Sequence, residues 1–199
     1  MQAAGVRRAY IITDDKGQPV ASHPVLQPIA SFLASDTIDY DQHEAIFFGV
    51  SPNTGDLMSA FLWKTKRGQG CGGIRLRSYH TVEEYIRDGL RLAIGMGRKS
   101  SLAGLYWGGG KGIIPSDSNT ENPRRKQLLE DYGDFLTSLR GCYVAAEDVG
   151  ITVDDVDVVV STGSVVYARC LDIPLLGVYI LFADYICFFL YLLLYICLV

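Results

Sequence analysis

Two lysines and an aspartate stand out because each sits where a charge is costly. Lys111 closes the run Gly108-Gly-Gly-Lys111, with apolar Tyr106-Trp107 before it and Ile113-Ile114 after it. A lysine between buried segments is expensive unless paired, and loss of hydration readily lowers its pKa. Lys99 lies twelve residues upstream, just past a helical pattern. Downstream, Ala145-Ala-Glu-Asp-Val-Gly150 sets two carboxylates between an apolar run and a glycine turn. Each of these residues alone reads equally well as an ordinary surface charge. Together, two lysines and an aspartate at strand and helix ends suit the binding of an anion beside acid/base chemistry. The three glycines before Lys111 would let backbone approach a small ligand closely.

Two glycine patterns are rejected on context. Gly68-x-Gly70-x-x-Gly73 has the spacing of a dinucleotide fingerprint, which must follow a buried strand and open a helix. Here it follows a lysine-rich stretch and runs into Ile74-Arg-Leu-Arg77, which alternates like a strand. A phosphate loop fails at Gly108–Gly112 because Leu105 stands where its first glycine belongs and Gly112 replaces the Ser or Thr that would meet magnesium. Net charge is −4, with no long basic run, so no nucleic-acid partner is expected. Lys64, Lys66, Arg67, Arg75 and Arg77 read as a solvated strand face. Cysteines at 71, 142, 170, 187 and 197 include no CxxC pair, which suggests neither a disulfide framework nor a metal site. Reduced thiols and the lack of an apolar leader point to a cytoplasmic setting.

The elements that must position these residues alternate between strand and helix, an α/β pattern. Strands are predicted at 9–13, 46–50, 57–65, 113–114, 144–146 and 156–160, the second and third as a hairpin around the Asn53–Asp56 turn. Pro24 and Pro28 bracket a turn. Thr81-Val-Glu-Glu84 is a capping-box pattern opening a helix to about Arg98, with apolar residues at Val82, Tyr85, Ile86, Leu90, Ala93 and Met96. Residues 123–139 form a second amphipathic helix.

Several ordered motifs resemble one family: Gly72-Gly-Ile-Arg75, Thr81-x-Glu-Glu84, Leu90-Arg-Leu-Ala93-x-Gly-Met96-x-x-Lys99, Leu102-Ala-Gly-Leu105, Gly108-Gly-Gly-Lys111 and Ala146-Glu-Asp-Val-Gly150. Over roughly residues 40–160 the chain is similar to the glutamate/leucine/phenylalanine/valine dehydrogenases, above all the leucine and phenylalanine members. The resemblance implies an N-terminal domain with a mixed sheet flanked by helices, which binds the amino acid and makes subunit contacts, truncated before the Rossmann domain that would bind NAD or NADP. It implies oxidative deamination of an L-amino acid to a 2-oxo acid and ammonia in a homo-oligomer. Lys99 would hold the substrate α-carboxylate, with Gly72, Gly73 and Met96 shaping the pocket. Lys111 would be the catalytic lysine activating water, and Asp148 would shuttle protons. Glutamate-specific members carry a lysine directly before the Gly-Gly pair; here that residue is Cys71, and Ala146 is also small. The resemblance therefore implies an apolar substrate such as leucine, valine or phenylalanine. No cofactor-binding residue is assigned in this chain.

The expected organisation is an N-terminal arm over 1–39, the substrate-binding and dimerisation domain over 40–160, and a divergent segment over 161–199. All 18 Lys and Arg occur by Arg169, and from Leu175 to Val199 the one charge is Asp184. That stretch is long enough to span a bilayer. It reads as a tail anchor, which would make the chain a membrane protein with a degenerate domain, or as the product of a misjoined exon or frameshift; the abrupt loss of family pattern favours the latter. Without a cofactor domain the isolated chain is expected to be inactive, and a non-catalytic amino-acid-binding or dimerisation subunit is the alternative.

Overall fold

The computed structural model describes residues 1–116 and 123–162. Its centre is a seven-stranded mixed sheet in the order β2-β1-β3-β4-β6-β5-β7. The strands are β1 (Arg8–Thr13), β2 (Pro19–Ala21), β3 (Ala45–Val50), β4 (Leu57–Leu62), β5 (Gly70–Leu76), β6 (Gly108–Ile114) and β7 (Tyr143–Glu147). β5 runs parallel to both β6 and β7, while the pairs from β2 through β4 to β6 are antiparallel. The helices are α1 (Gln27–Ser35), α2 (Val82–Leu102), α3 (Arg124–Ser138) and α4 (Val153–Ser161).

α1 and α2 cover one face, where Ala30, Leu33, Ile86, Leu90 and Ala93 pack with Ile11, Phe48, Phe61 and Ile113. α3 covers the other face with Leu128, Leu129, Tyr132, Phe135 and Leu136 and packs against α4, whose Val159 carbonyl lies against Gly133. Because both faces of β6 are covered, all seven of its residues are buried.

The hairpin of β3 and β4 and the helix opened by Thr81 form as expected. The Thr81 side chain accepts from the Glu84 amide, whereas the Glu84 carboxylate reaches back to the His80 amide rather than to Thr81. Residues 156–160 depart from the reading: they form the helix α4, not a strand. Thr152 and Asp155 close a full capping box there, and the buried valines recur at Val156 and Val159, a helical spacing. The segment 1–39 contributes β1, β2 and α1 to the same sheet and core, with Ala9, Ile11, Leu26 and Leu33 buried. Among the described residues no helix is long and apolar enough to cross a membrane. The apolar stretch 175–199 lies outside them.

Candidate active site

The two glycine patterns do not make loops. Gly70 through Leu76 is strand, and so is the whole of Gly108–Ile114. The glycine run has a packing reason instead of the ligand approach expected for it. A Cβ on Gly109 would fall 2.3 Å from the Ala93 carbonyl oxygen and 3.1 Å from Gly97 Cα, both on α2. On Gly110 it would meet the Tyr143 ring at 2.7 Å. The strand can press against helix and neighbour only without side chains there.

This pressing places Lys111 mid-strand, 3 % exposed, on the face that α2 covers. Its Nζ lies 3.0 Å from Oδ2 of Asp148, the first residue after β7. Burial, the largest influence, holds the Lys111 ammonium below the ordinary lysine range; Asp148 pulls back and Arg75 adds to the lowering. Burial alone would raise the Asp148 carboxyl, but Lys111 and Arg75 outweigh it and hold it below the usual aspartate range. The pair is thus a carboxylate and a weakened ammonium at one oxygen, the equipment for moving protons.

Gly73 makes room for Asp148: a Cβ there would stand 2.6 Å from Asp148 Cβ. Ala146 is its register partner across β5 and β7. Gly72 lies against α2, its would-be Cβ 3.2 Å from Met96 Cγ and only 1.9 Å from the Gly110 carbonyl oxygen. The β5–β6 ladder pairs Cys71 with Gly109 and resumes with Ile74 opposite Gly112, so Gly72 and Gly73 fall in a gap beside Lys111. The Tyr143 hydroxyl donates to the carbonyls of Gly72 at 2.6 Å and Gly73 at 3.0 Å. Cys71 is half-buried; burial pushes its thiol up to about 11, with the Lys99 charge acting the other way. Lys99 sits in the last turn of α2, half-exposed. The eight expected site residues therefore gather along β5, β6, β7 and the second half of α2, with Lys111, Asp148 and Gly73 tightest.

Three members escaped the sequence reading. Arg75, read as part of a solvated face, is largely buried: its Nε donates to Asp148 Oδ2 at 2.8 Å and its NH1 to Asp88 Oδ2 at 3.0 Å. The Tyr79 hydroxyl donates to the same Asp88 oxygen at 2.7 Å. One signal was present: Asp88 follows Tyr85 by three, which puts it beside the core-facing stripe of α2.

The fold is that of an amino acid dehydrogenase N-terminal domain. Residues 56–164 match the family model described as Glu/Leu/Phe/Val dehydrogenase, dimerisation domain, and the chain is a member of that family. It is 36 % identical over 128 residues to leucine dehydrogenase of Geobacillus stearothermophilus, covering 64 % of this chain and 34 % of that one. It is 40 % identical over 121 residues to valine dehydrogenase of Streptomyces coelicolor, covering 61 % and 32 %. The L-tryptophan dehydrogenase of Nostoc punctiforme superposes with a TM-score of 0.57 at 32 % identity, over 60 % of this chain and 35 % of the other. The chain spans about a third of the length of the relatives it matches.

Proposed function

We propose that this chain carries the amino-acid-binding and proton-handling half of an NAD(P)-dependent dehydrogenase that deaminates an apolar L-amino acid to its 2-oxo acid and ammonia. The observation that carries the reading is the buried Lys111 ammonium 3.0 Å from Asp148. In this reading Lys99 binds the substrate α-carboxylate as a point charge. Gly72, Gly73, Met96, Cys71 and Ala146 line the pocket. Lys111 activates the water that attacks the imine carbon and stabilises the oxygen that results. Asp148 takes protons from the amine and returns them. The half-buried Cys71 thiol, its pKa pushed up to about 11, is neutral at pH 7 and offers no positive charge to a side-chain carboxylate, which favours an apolar substrate over glutamate.

The described residues do not fit a dinucleotide: the one glycine fingerprint ends inside β5 rather than opening a helix. The share of the reaction read here is binding and proton transfer, and the hydride step is assigned to no residue of this chain. In keeping with the family's dimerisation role, we infer a homo-oligomer.

Titrating the full chain with L-leucine, L-phenylalanine and L-glutamate, followed by NMR, tests the reading. Saturable shifts at the Met96 methyl are expected with the apolar amino acids, and Lys99→Ala should remove them. A preference for glutamate, or no binding of any amino acid, overturns it. NADH formation from NAD⁺ and leucine is the second measurement. None is expected from this chain alone, and its appearance would show that hydride transfer also lies within these residues.

A further inference from the structure

The Lys111–Asp148 pair does not stand alone. The planar Arg75 guanidinium lies between two carboxylates from different elements, with Nε on Asp148 Oδ2 at 2.8 Å and NH1 on Asp88 at 3.0 and 3.3 Å from its two oxygens. Asp88 is itself anchored by the Tyr79 hydroxyl. Asp148 Oδ2 therefore receives both Arg75 and Lys111, while its Oδ1 accepts no hydrogen bond among the described residues. A guanidinium can do this because its donors form a rigid fork, and an ammonium cannot grip two carboxylates in fixed directions.

We propose that Arg75 is a positioning residue for the Lys111–Asp148 pair, tying the Asp148 carboxylate to Asp88 on α2 so that Oδ2 is committed to the two cations and Oδ1 is presented to the amino acid. This rests on the reading of the site given above. The tether joins the carboxyl ends of β5 and β7 to the first half of α2. It also sets the charge of the cluster. The groups facing Lys111 are Asp148 after β7, Arg75 on β5 and Asp88 on α2. Arg75 repels a proton on Lys111, and its bond and charge disfavour one on Asp148. One side chain thereby weakens proton binding at both members of the pair, and Asp88 opposes it at Lys111.

The test is a pH titration of the full chain labelled with carbon-13 at lysine Cε and aspartate Cγ. The chain has six lysines, and the Lys111→Arg spectrum identifies the Lys111 signal. Arg75→Met should raise the Lys111 midpoint by about one pH unit and raise that of Asp148 with it. Asp88→Asn, which leaves Arg75 in place and serves if Arg75→Met fails to fold, should lower the Lys111 midpoint. A residue that merely props the sheet would not move the Lys111 midpoint up in Arg75→Met and down in Asp88→Asn. Unmoved midpoints in a folded variant, or a Lys111 midpoint that moves in the same direction in Arg75→Met and in Asp88→Asn, overturn the proposal. Neither measurement needs an amino acid. Failed amino-acid binding would remove the functional reading and leave these shifts, whereas unmoved shifts would remove the role of Arg75 and leave the binding.

Discussion

A side chain's surroundings, not its type, decide what the residues of this protein do. His43 shows it away from the site. It is 1 % exposed, its Nε2 donates to the Leu90 carbonyl at 3.1 Å, and its ring stacks on Tyr40. Burial lowers its pKa to about 4. The unfolded chain takes up a proton on this ring as pH falls through about 6.5, and the folded chain resists until about 4. Stability is therefore present above pH 6.5 and falls between 6.5 and 4, by about 3 kcal/mol from this residue. Asp36 and Asp39 are driven up by burial but held low overall, Asp36 by the Asp39 and Tyr40 amides and then Arg87, Asp39 by Arg91 and Arg87, so they withdraw stability only at pH values below the ordinary aspartate range. Urea midpoints measured across this window should decline in the wild type and stay nearly flat in His43→Gln. The glycines make a steric case. Gly109→Ala would drive a methyl into the α2 backbone, which cannot retreat as a side chain could. A loss of about 2 kcal/mol in denaturant unfolding is the expected outcome.

Among the elements, α4 and α2 are the instructive pair. Both open with a hydroxyl cap accepting from the third residue on, at Thr81 and Thr152. The cap of α4 also carries tertiary structure, because Arg125 of α3 donates to the capping Asp155 at 2.7 Å and to the Gly150 carbonyl. Thr152→Ala should cost about 1 kcal/mol in thermal or urea unfolding, while far-ultraviolet circular dichroism at low temperature stays close to wild type. A much larger loss would mean that the box also holds the turn after Asp148. That turn is made by Gly150, at φ 80°, with the Leu76 carbonyl oxygen 2.1 Å from its would-be Cβ, so β5 and the chain after Asp148 are held close.

At the scale of the whole molecule, the sheet is covered unevenly. Away from α3, β1 and β2 turn Tyr10, Ile12 and Val20 outward at 45, 41 and 47 % exposure, beside the Phe47 ring. Register places Tyr10 opposite Phe47 and Ile12 opposite Val20, so all four share one apolar surface. If the homo-oligomer inferred above forms through this surface, the contact would bury these four side chains. The double variant Ile12→Glu/Val20→Glu is expected to reduce the mass found by light scattering without loss of helix content. An unchanged mass would place the contact elsewhere.

Much of the site was legible along the chain. Lys99, Lys111 and Asp148 announce themselves by being charges among apolar and glycine residues, and the motif order around them marks the family. The hairpin and the long helix follow from local periodicity and a cap, which are properties of neighbouring residues. The strand expected at 156–160 is instead helix because a run of valines suits either element, and the capping box opened four residues earlier at Thr152 decides between them. What only the tertiary structure decided is pairing across distance. Arg75 and Asp148 are 73 residues apart in sequence and 2.8 Å apart in space. An arginine alternating along a strand looks solvated until a helix from elsewhere covers that face and supplies Asp88. The reason is physical: a side chain's type follows from the sequence alone, but its hydration, partners and pKa depend on which elements the fold packs over it.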